Sequence, residues 1–377
     1  MLNSAIIKQQ VADGYHVVVY GVGSSARKFM FSHEWLYPLI HCFVTTEGSS
    51  AGFYGKKVLA LKSLDIPLNK TIFLVASQFY QEIFDNLCGL GVDKKNIVDL
   101  DGPELFPREK LQIYEELYTD DSLKNKRFYN IGAGSFYHPM WTNVDFFSDW
   151  YAVNKEQISS GIQYDLLSLQ PLPIENSSAE VIYTSHTIEH ITDQAAQNVF
   201  NESYRVLKTG GIFRATTPNI DLEYRAYKDN DRNYFYWIEH YSIEKNWRRA
   251  KYNQPLNSAS IAQVFLAHFA SSVSTLHSDG SAYRIDDTEL ATLFATLPYE
   301  DALNFCTSKC ELEVQKRNPG NHINWWNFSK LSTMLRAAGF KHIYLSAYGQ
   351  SHCPVLRDLA LFDNTHPKIS LYVEAVK

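Results

Sequence analysis

Two stretches of this 377-residue chain combine residue types that do chemistry, and a third is built to hold a ligand. The first stretch is Asn130-Ile131-Gly132-Ala133-Gly134, followed by Thr142-Asn143-Val144-Asp145. Two glycines let backbone amides approach a bound group where a side chain would collide. A carboxylate at the end of the next strand can accept hydrogen bonds from both hydroxyls of a ribose. Together these describe a nucleoside-type cofactor site at the carboxyl edge of a parallel sheet. The second stretch is Thr184-Ser185-His186-Thr187-Ile188-Glu189-His190. A histidine takes a proton near neutral pH, and Glu189 is placed to orient one. An alcohol needs such a base before it acts as a nucleophile; His190 is the first candidate and His186 the second. The third stretch is Gly21-Val22-Gly23-Ser24-Ser25-Ala26, a G-x-G-x-x-A arrangement behind the apolar run Tyr15 to Tyr20. A helix starting near Ser24 would turn its free amides and dipole toward a phosphate. Glu47 lies where an acid for a ribose is expected.

The elements that must position these groups follow from periodicity. In the first 118 residues, Tyr15–Tyr20, Leu39–Val44, Thr71–Ala76 and Asn96–Asp99 read as four short strands, with helices over Ser25–Trp35 and Phe79–Leu90. Asp101 to Arg108, with two prolines and a glycine, reads as a boundary, and Glu109 to Tyr118 as a connecting helix. From Phe128 a second strand–turn–strand pattern begins. Val181–Thr184 reads as a buried strand. Asp193–Lys208 reads as an amphipathic helix capped by Thr192 or Asp193 and ended by Gly210-Gly211. Ile212–Thr216 is the next strand. Residues 221–320 interrupt this core and are rich in Tyr, Phe and Trp, with helices expected at Ile261–Phe269 and Asp286–Ala295. We read them as a helical cap over an acceptor site, a dimerisation insert being the alternative. The core resumes at Asn327, an N-cap, with a helix stopped by Gly339, and ends in strands Ile343–Leu345 and Ser370–Val376.

Composition sets bounds. The length suits two or three domains. A net charge of −6 speaks against a general nucleic-acid or anionic-membrane binder; Trp247 to Lys251 is the one local basic patch. The five cysteines show no disulfide framework, which favours a cytoplasmic setting. Cys306 and Cys310 are expected as buried thiols rather than a metal pair, and no metal cluster is expected elsewhere. No signal peptide or membrane span is expected.

From about residue 125 to 377 the chain resembles the class I S-adenosylmethionine (SAM)-dependent methyltransferases, in particular the type 11-like branch. The resemblance is carried by Asn130-Ile131-Gly132-Ala133-Gly134, Asn143-Val144-Asp145, Asp165-Leu166, Glu189-His190 and Arg205-Val206-Leu207-Lys208-Thr209-Gly210-Gly211. It implies that Ile131, Gly132, Ala133 and Gly134 lie against the methionine half of SAM. Asp145 would take the ribose hydroxyls, and Asp165 with Leu166 the adenine edge. It also implies an antiparallel final strand. One departure stands out: ten residues separate Gly134 from Asp145, so the first helix of the fold must be truncated. The tail Gln350 to Lys377 resembles methyltransferases encoded with surface-polysaccharide enzymes, and residues 1–118 resemble small Rossmann-like domains of bacterial sugar-modifying enzymes. The expectation is an α/β protein. Residues 1–118 form a Rossmann-like parallel sheet that binds a nucleotide or nucleotide sugar through Gly21, Gly23 and Glu47, or serves as a degenerate scaffold. Residues 119–377 form a SAM-dependent methyltransferase domain. The reaction expected is O-methylation of a sugar, whether nucleotide-linked, lipid-linked or polymeric, with His322, Arg357 and Tyr224 contacting the acceptor. The rivals are methylation of a small metabolite or amine, and a non-catalytic SAM- or nucleotide-binding partner protein. A homodimer is expected if the insert is a dimerisation element.

Overall fold

The computed structural model describes residues 4–77, 79–100, 108–134, 136–146 and 161–377. The expected boundary segment 101–107 lies outside the described residues. The chain divides into two compact units, Met1–Tyr118 and Thr119–Lys377.

The first unit holds strands β1 (His16–Tyr20), β2 (Ile40–Thr45), β3 (Ser49–Phe53), β4 (Lys56–Ala60), β5 (Thr71–Val75) and β6 (Ile97–Asp99) in the order β3-β4-β2-β1-β5-β6. All neighbours are parallel except β3 and β4. Six strands are present where four were expected. The missed pair is a hairpin turning at Tyr54-Gly55, both at positive φ; it adds β3 as the edge strand beside β4. The continuous apolar runs of β1 and β5 are buried along nearly their whole length, as two-sided burial in a parallel sheet demands.

The second unit holds β7 (Phe128–Ile131), β8 (Trp141–Asp145), β9 (Ile162–Gln163), β10 (Ala179–Ser185), β11 (Leu207–Pro218), β12 (His342–Leu345) and β13 (Ser370–Val376), ordered β12-β13-β11-β10-β7-β8-β9. β7 to β11 run parallel. β13 is antiparallel to both β11 and β12, which is the expected inserted last strand. Successive strands step outward in opposite directions from β7 and β10, so a crevice opens at the carboxyl ends of these two.

Helix Asp193–Val206 is capped by Thr192, whose side chain accepts from Ala195 N. It buries Ala196, Val199, Phe200 and Ser203; each large apolar side chain contributes about 2 kcal/mol. It ends two residues earlier than expected, because Leu207 already pairs with Ala179. Gly210-Gly211 instead lies within β11, at a register shift before Ile212 pairs with Val181. Helix Phe328–Ala338 packs beside it, capped by Asn327 and ended by Gly339 at φ +114°.

The crossover from β7 to β8 contains no helix among the described residues. The sheet face this leaves is covered from the tail. Phe362 is fully buried, with its ring 5.0 Å from Trp141 and 5.2 Å from Tyr183. Beside it the buried Arg214 of β11 is held by Asp363 at 2.6 Å and Glu374 at 3.0 Å.

Between β11 and helix Phe328–Ala338 the insertion is helical: Ile220–Lys228, Trp237–His240, Glu244–Arg249, Ile261–Phe269, Asp287–Thr296, Tyr299–Ser308 and Leu312–Arg317. It has its own core around Phe235, Phe265, Phe269 and Leu290. Burial pushes the Cys306 thiol up to about 12 and the Cys310 thiol to about 11, so both are inert apolar fillers at neutral pH.

Candidate active site

The crevice begins at the glycine turn. Gly132 has φ +67°, and a Cβ there would lie 2.2 Å from Thr187 Cγ2. Thr187 Oγ1 in turn faces the carbonyls of Ile131 and Gly132. Only glycine permits both the backbone conformation and this approach of the loop after β10. Asp145 Oδ2 accepts a hydrogen bond from the Gly134 amide at 2.6 Å. Burial raises the Asp145 carboxyl above its ordinary range, while the Gly134 and Phe146 amides oppose the shift. Gly132, Ala133, Gly134, Asp145, Asp165 and Leu166 line one cavity of about 870 Å³, together with Phe146 and Tyr164. Ile131 stays in β7 beneath it, buried. Asp165 Oδ1 accepts from Leu167 N at 2.9 Å, which leaves its second oxygen for a ligand.

A second cavity, of about 430 Å³, opens beside the first. His186, Glu189, His190, His322, His268 and His366 line it, with Trp237, Tyr241 and Tyr252 from the insertion. His186, His190, Gly320 and Thr365 line both cavities, so the two meet at the histidines.

His186 follows β10 directly and holds a left-handed backbone, φ +50°, a strained conformation for a non-glycine residue at a site. Its Nε2 lies 2.8 Å from Ser370 Oγ and its Nδ1 3.2 Å from Glu189 Oε1, so both ring nitrogens are engaged. Glu189 is fully buried, and its Oε2 accepts from Thr217 Oγ1 at 3.1 Å. Burial alone would raise its carboxyl, but the His186 contact and the nearby His190 and His322 outweigh this and hold it down to about 2. A carboxylate that acidic orients its neighbours and does not take a proton near neutral pH. His190 Nδ1 lies 2.9 Å from the Asn321 carbonyl and therefore donates to it, which leaves Nε2 as the acceptor nitrogen. His322 comes from the far end of the insertion. Burial, with His190 and His268 beside it, holds its ring well below the usual histidine range.

The structure places the remaining expected residues elsewhere. Tyr224 packs inside the insertion, with its ring 4.8 Å from Phe294 and 4.7 Å from Tyr299. Arg357 donates from Nε to the Ser351 carbonyl and lines a separate cavity with Tyr344 and His352. Neither lines the cavity beside His190, because the tail turns its Arg357 side toward β12 rather than toward the crevice. In the first unit, a Cβ on Gly21 would lie 2.5 Å from the Ala76 carbonyl, so this glycine serves the close packing of two strand ends. Gly23 stands open at the start of helix Ser24–Ser32, and Glu47 is exposed.

Sequence reading missed His268 and His366. His268 sits near the end of the largely apolar helix Ile261–Phe269 and lies 2.9 Å from the buried Glu223; an ionisable residue in such a run was the available signal. His366 has no local pattern, and only the return of the tail to β13 brings it near His186.

Residues 132–215 match a family described as a methyltransferase domain. The match and the strand order of the second unit agree with the expected class I SAM-dependent methyltransferase fold. A curated relative from Mycolicibacterium smegmatis, named "Probable S-adenosylmethionine-dependent methyltransferase", is 40% identical over 52 residues, 14% of this chain. The chain spans about a fifth (20%) of that relative's length in the match. Similar solved structures include a SAM-dependent methyltransferase from Thermotoga maritima (13% identity, 71% of this chain and 87% of that one, TM-score 0.31). Another is a SAM-dependent methyltransferase from Archaeoglobus fulgidus (11%, 73% and 95%, TM-score 0.31). A third is phosphoethanolamine N-methyltransferase 2 from Haemonchus contortus, in complex with phosphomonomethylethanolamine and S-adenosylhomocysteine (12%, 72% and 53%, TM-score 0.30).

Proposed function

We propose that this protein transfers a methyl group from SAM to a hydroxyl of a sugar or sugar-linked acceptor. The observation that carries this reading is the junction of the two cavities at His186 and His190. SAM sits over Gly132–Gly134 with its ribose on Asp145, and the acceptor lies against Trp237, Tyr241 and Tyr252. Transfer is an in-line displacement: the acceptor oxygen bonds to the methyl carbon as the sulfur–carbon bond breaks, and S-adenosylhomocysteine leaves. The protein's task is to align the two and exclude water. In the metal-free chain, the group placed to take the acceptor proton is Nε2 of His190, with its ring fixed by the Asn321 carbonyl. Aromatic walls offer flat apolar faces for a sugar ring. Arg249 and Lys251 on the cavity rim suit a phosphate on an activated sugar.

The test is incubation with methyl-labelled SAM and a panel of nucleotide sugars, lipid-linked sugars and amines. The reading expects label on a sugar hydroxyl, lost in His190→Ala. Label on an amine alone, or SAM binding with no transfer to any acceptor, would contradict it.

A further inference from the structure

We propose that Glu189, His190 and His322 form a binding site for a divalent transition-metal ion. One ligand atom from each of the three lies within 4.8 Å of the others, and Glu189 Oε1 is 4.0 Å from His190 Nε2. Bonds of about 2.0–2.2 Å to nitrogen and oxygen require ligand atoms roughly 3–4 Å apart, so rotamer adjustment on the order of 1 Å closes the site.

The surroundings are those of metal ligands rather than of ordinary buried histidines. His190 Nδ1 donates to the Asn321 carbonyl at 2.9 Å, and His322 Nδ1 to the His268 carbonyl at 2.5 Å. A ligating histidine characteristically spends its other N–H in this way, which fixes the ring and leaves a bare Nε2 lone pair. Glu189 is fully buried; Thr217 holds its Oε2, and its Oε1 meets His186 Nδ1 at 3.2 Å without an aligned hydrogen bond. A buried carboxylate oxygen with one poorly aligned contact keeps a lone pair to spare, and a cation can take it. The backbone is locked as well. The His322 amide donates to Ser271 Oγ and its carbonyl accepts from Ser271 N. Gln315 Nε2 donates to the carbonyls of His190 and Asn321.

The ligand chemistry selects the ion. Two imidazoles and one carboxylate suit Zn²⁺, Co²⁺ or Mn²⁺, whereas Mg²⁺ prefers an all-oxygen shell. Three protein ligands leave positions open toward the cavity. Given the methyl-transfer reading, on which this consequence alone rests, an acceptor hydroxyl occupies one of them. Its proton is lost to solvent water, because the bound cation lowers the hydroxyl pKa. His190 is then a ligand, and the alkoxide oxygen attacks the methyl carbon.

The experiment uses the full chain stripped with a chelator and titrated with Co²⁺, followed by its visible absorption bands. Zn²⁺ and Mg²⁺ serve as competitors. We expect saturable Co²⁺ binding that Zn²⁺ displaces and Mg²⁺ does not. Affinity should fall at least about 10-fold in His322→Ala and Glu189→Gln and hold in His277→Gln, which changes another histidine of the cavity. His322→Cys, which supplies a thiolate, should restore Zn²⁺ binding where Ala does not; a purely structural His322 would show no such rescue. Absence of Co²⁺ binding, or equal affinity in His322→Ala, would overturn the site. S-adenosylhomocysteine affinity, measured on the same stripped samples, separates the two readings. If it persists while Co²⁺ fails to bind, the metal proposal falls and the methyltransferase reading stands. If Co²⁺ binds with the expected variant pattern but no acceptor is methylated, the site stands and that reading falls.

Discussion

At the residue scale the proposed chemistry rests on how Glu189 and its histidines divide their roles. Glu189 stays ionised because three imidazoles surround it, and each imidazole is positioned by a different element. Glu189→Gln keeps the shape and removes the charge. We expect it to lower methyl transfer by about 100-fold or more with S-adenosylhomocysteine affinity within a few-fold of wild type; an undiminished rate would show that the charge is idle. A second buried ring, His277, sets a pH limit on the fold. It is 7% exposed, and burial, with Arg284 nearby, lowers it to about 4. The unfolded chain therefore binds this proton near pH 6.5, while the folded chain resists it until about pH 4. Stability should fall as pH drops through that window, by up to about 3 kcal/mol from this group. Urea unfolding of wild type and His277→Gln across the window checks it: the variant should show a shallower pH slope, and equal slopes would contradict the account.

At the element scale, the glycine turn and the loop after β10 act as one interlocked unit. Gly132→Ala forces a Cβ onto Thr187 and strains φ. It should cost about 1–3 kcal/mol of stability and most of the cofactor affinity. Thr187→Gly in the same chain should recover part of the stability but not all, since the φ strain remains; full recovery would show that only the clash matters. Elements with strong local patterns were legible in sequence. The helix from Asp193 and the helix from Phe328 carried caps, periodicity and stops, and both lie within two residues of expectation. The glycine turn, Asp145 and the Glu189-His190 pair could be nominated from sequence by their spacing, and the structure gathers them along the two adjoining cavities. The β3–β4 hairpin was not, since its short strands mix polar and apolar residues without clean alternation. The end of the first helix misread for a tertiary reason: Leu207 is claimed by Ala179 across the sheet. Tyr224 misread because an aromatic stripe looks the same whether it lines a site or fills a core.

At the scale of the whole molecule, the tail covers the sheet face beside the short β7–β8 crossover, where the described residues form no helix. Phe362 fills the bare sheet face, and Asp363 joins Glu374 on the buried Arg214. No sequence pattern announced this, because Arg214 and Asp363 meet only once β13 has inserted beside β11. Asp363→Ala leaves Arg214 with one carboxylate, Glu374, beside Ser346 Oγ and the Ala347 carbonyl, and should cost about 3–5 kcal/mol, read as a shift of the denaturation midpoint; a shift below about 1 kcal/mol would mean that the remaining partners suffice. The same closure carries Thr365 to the junction of the cavities and His366 to the second of them, so fold and site are completed together. The central claim is that the Gly132–Gly134 turn and Asp145 hold SAM. It is tested most directly by calorimetric titration of S-adenosylhomocysteine into the wild-type chain and Asp145→Ala. The account predicts saturable binding to the wild type and a loss of affinity of about 100-fold in the variant, as expected when a ribose loses a charged acceptor. No binding to the wild type, or equal affinity in the two chains, would contradict it.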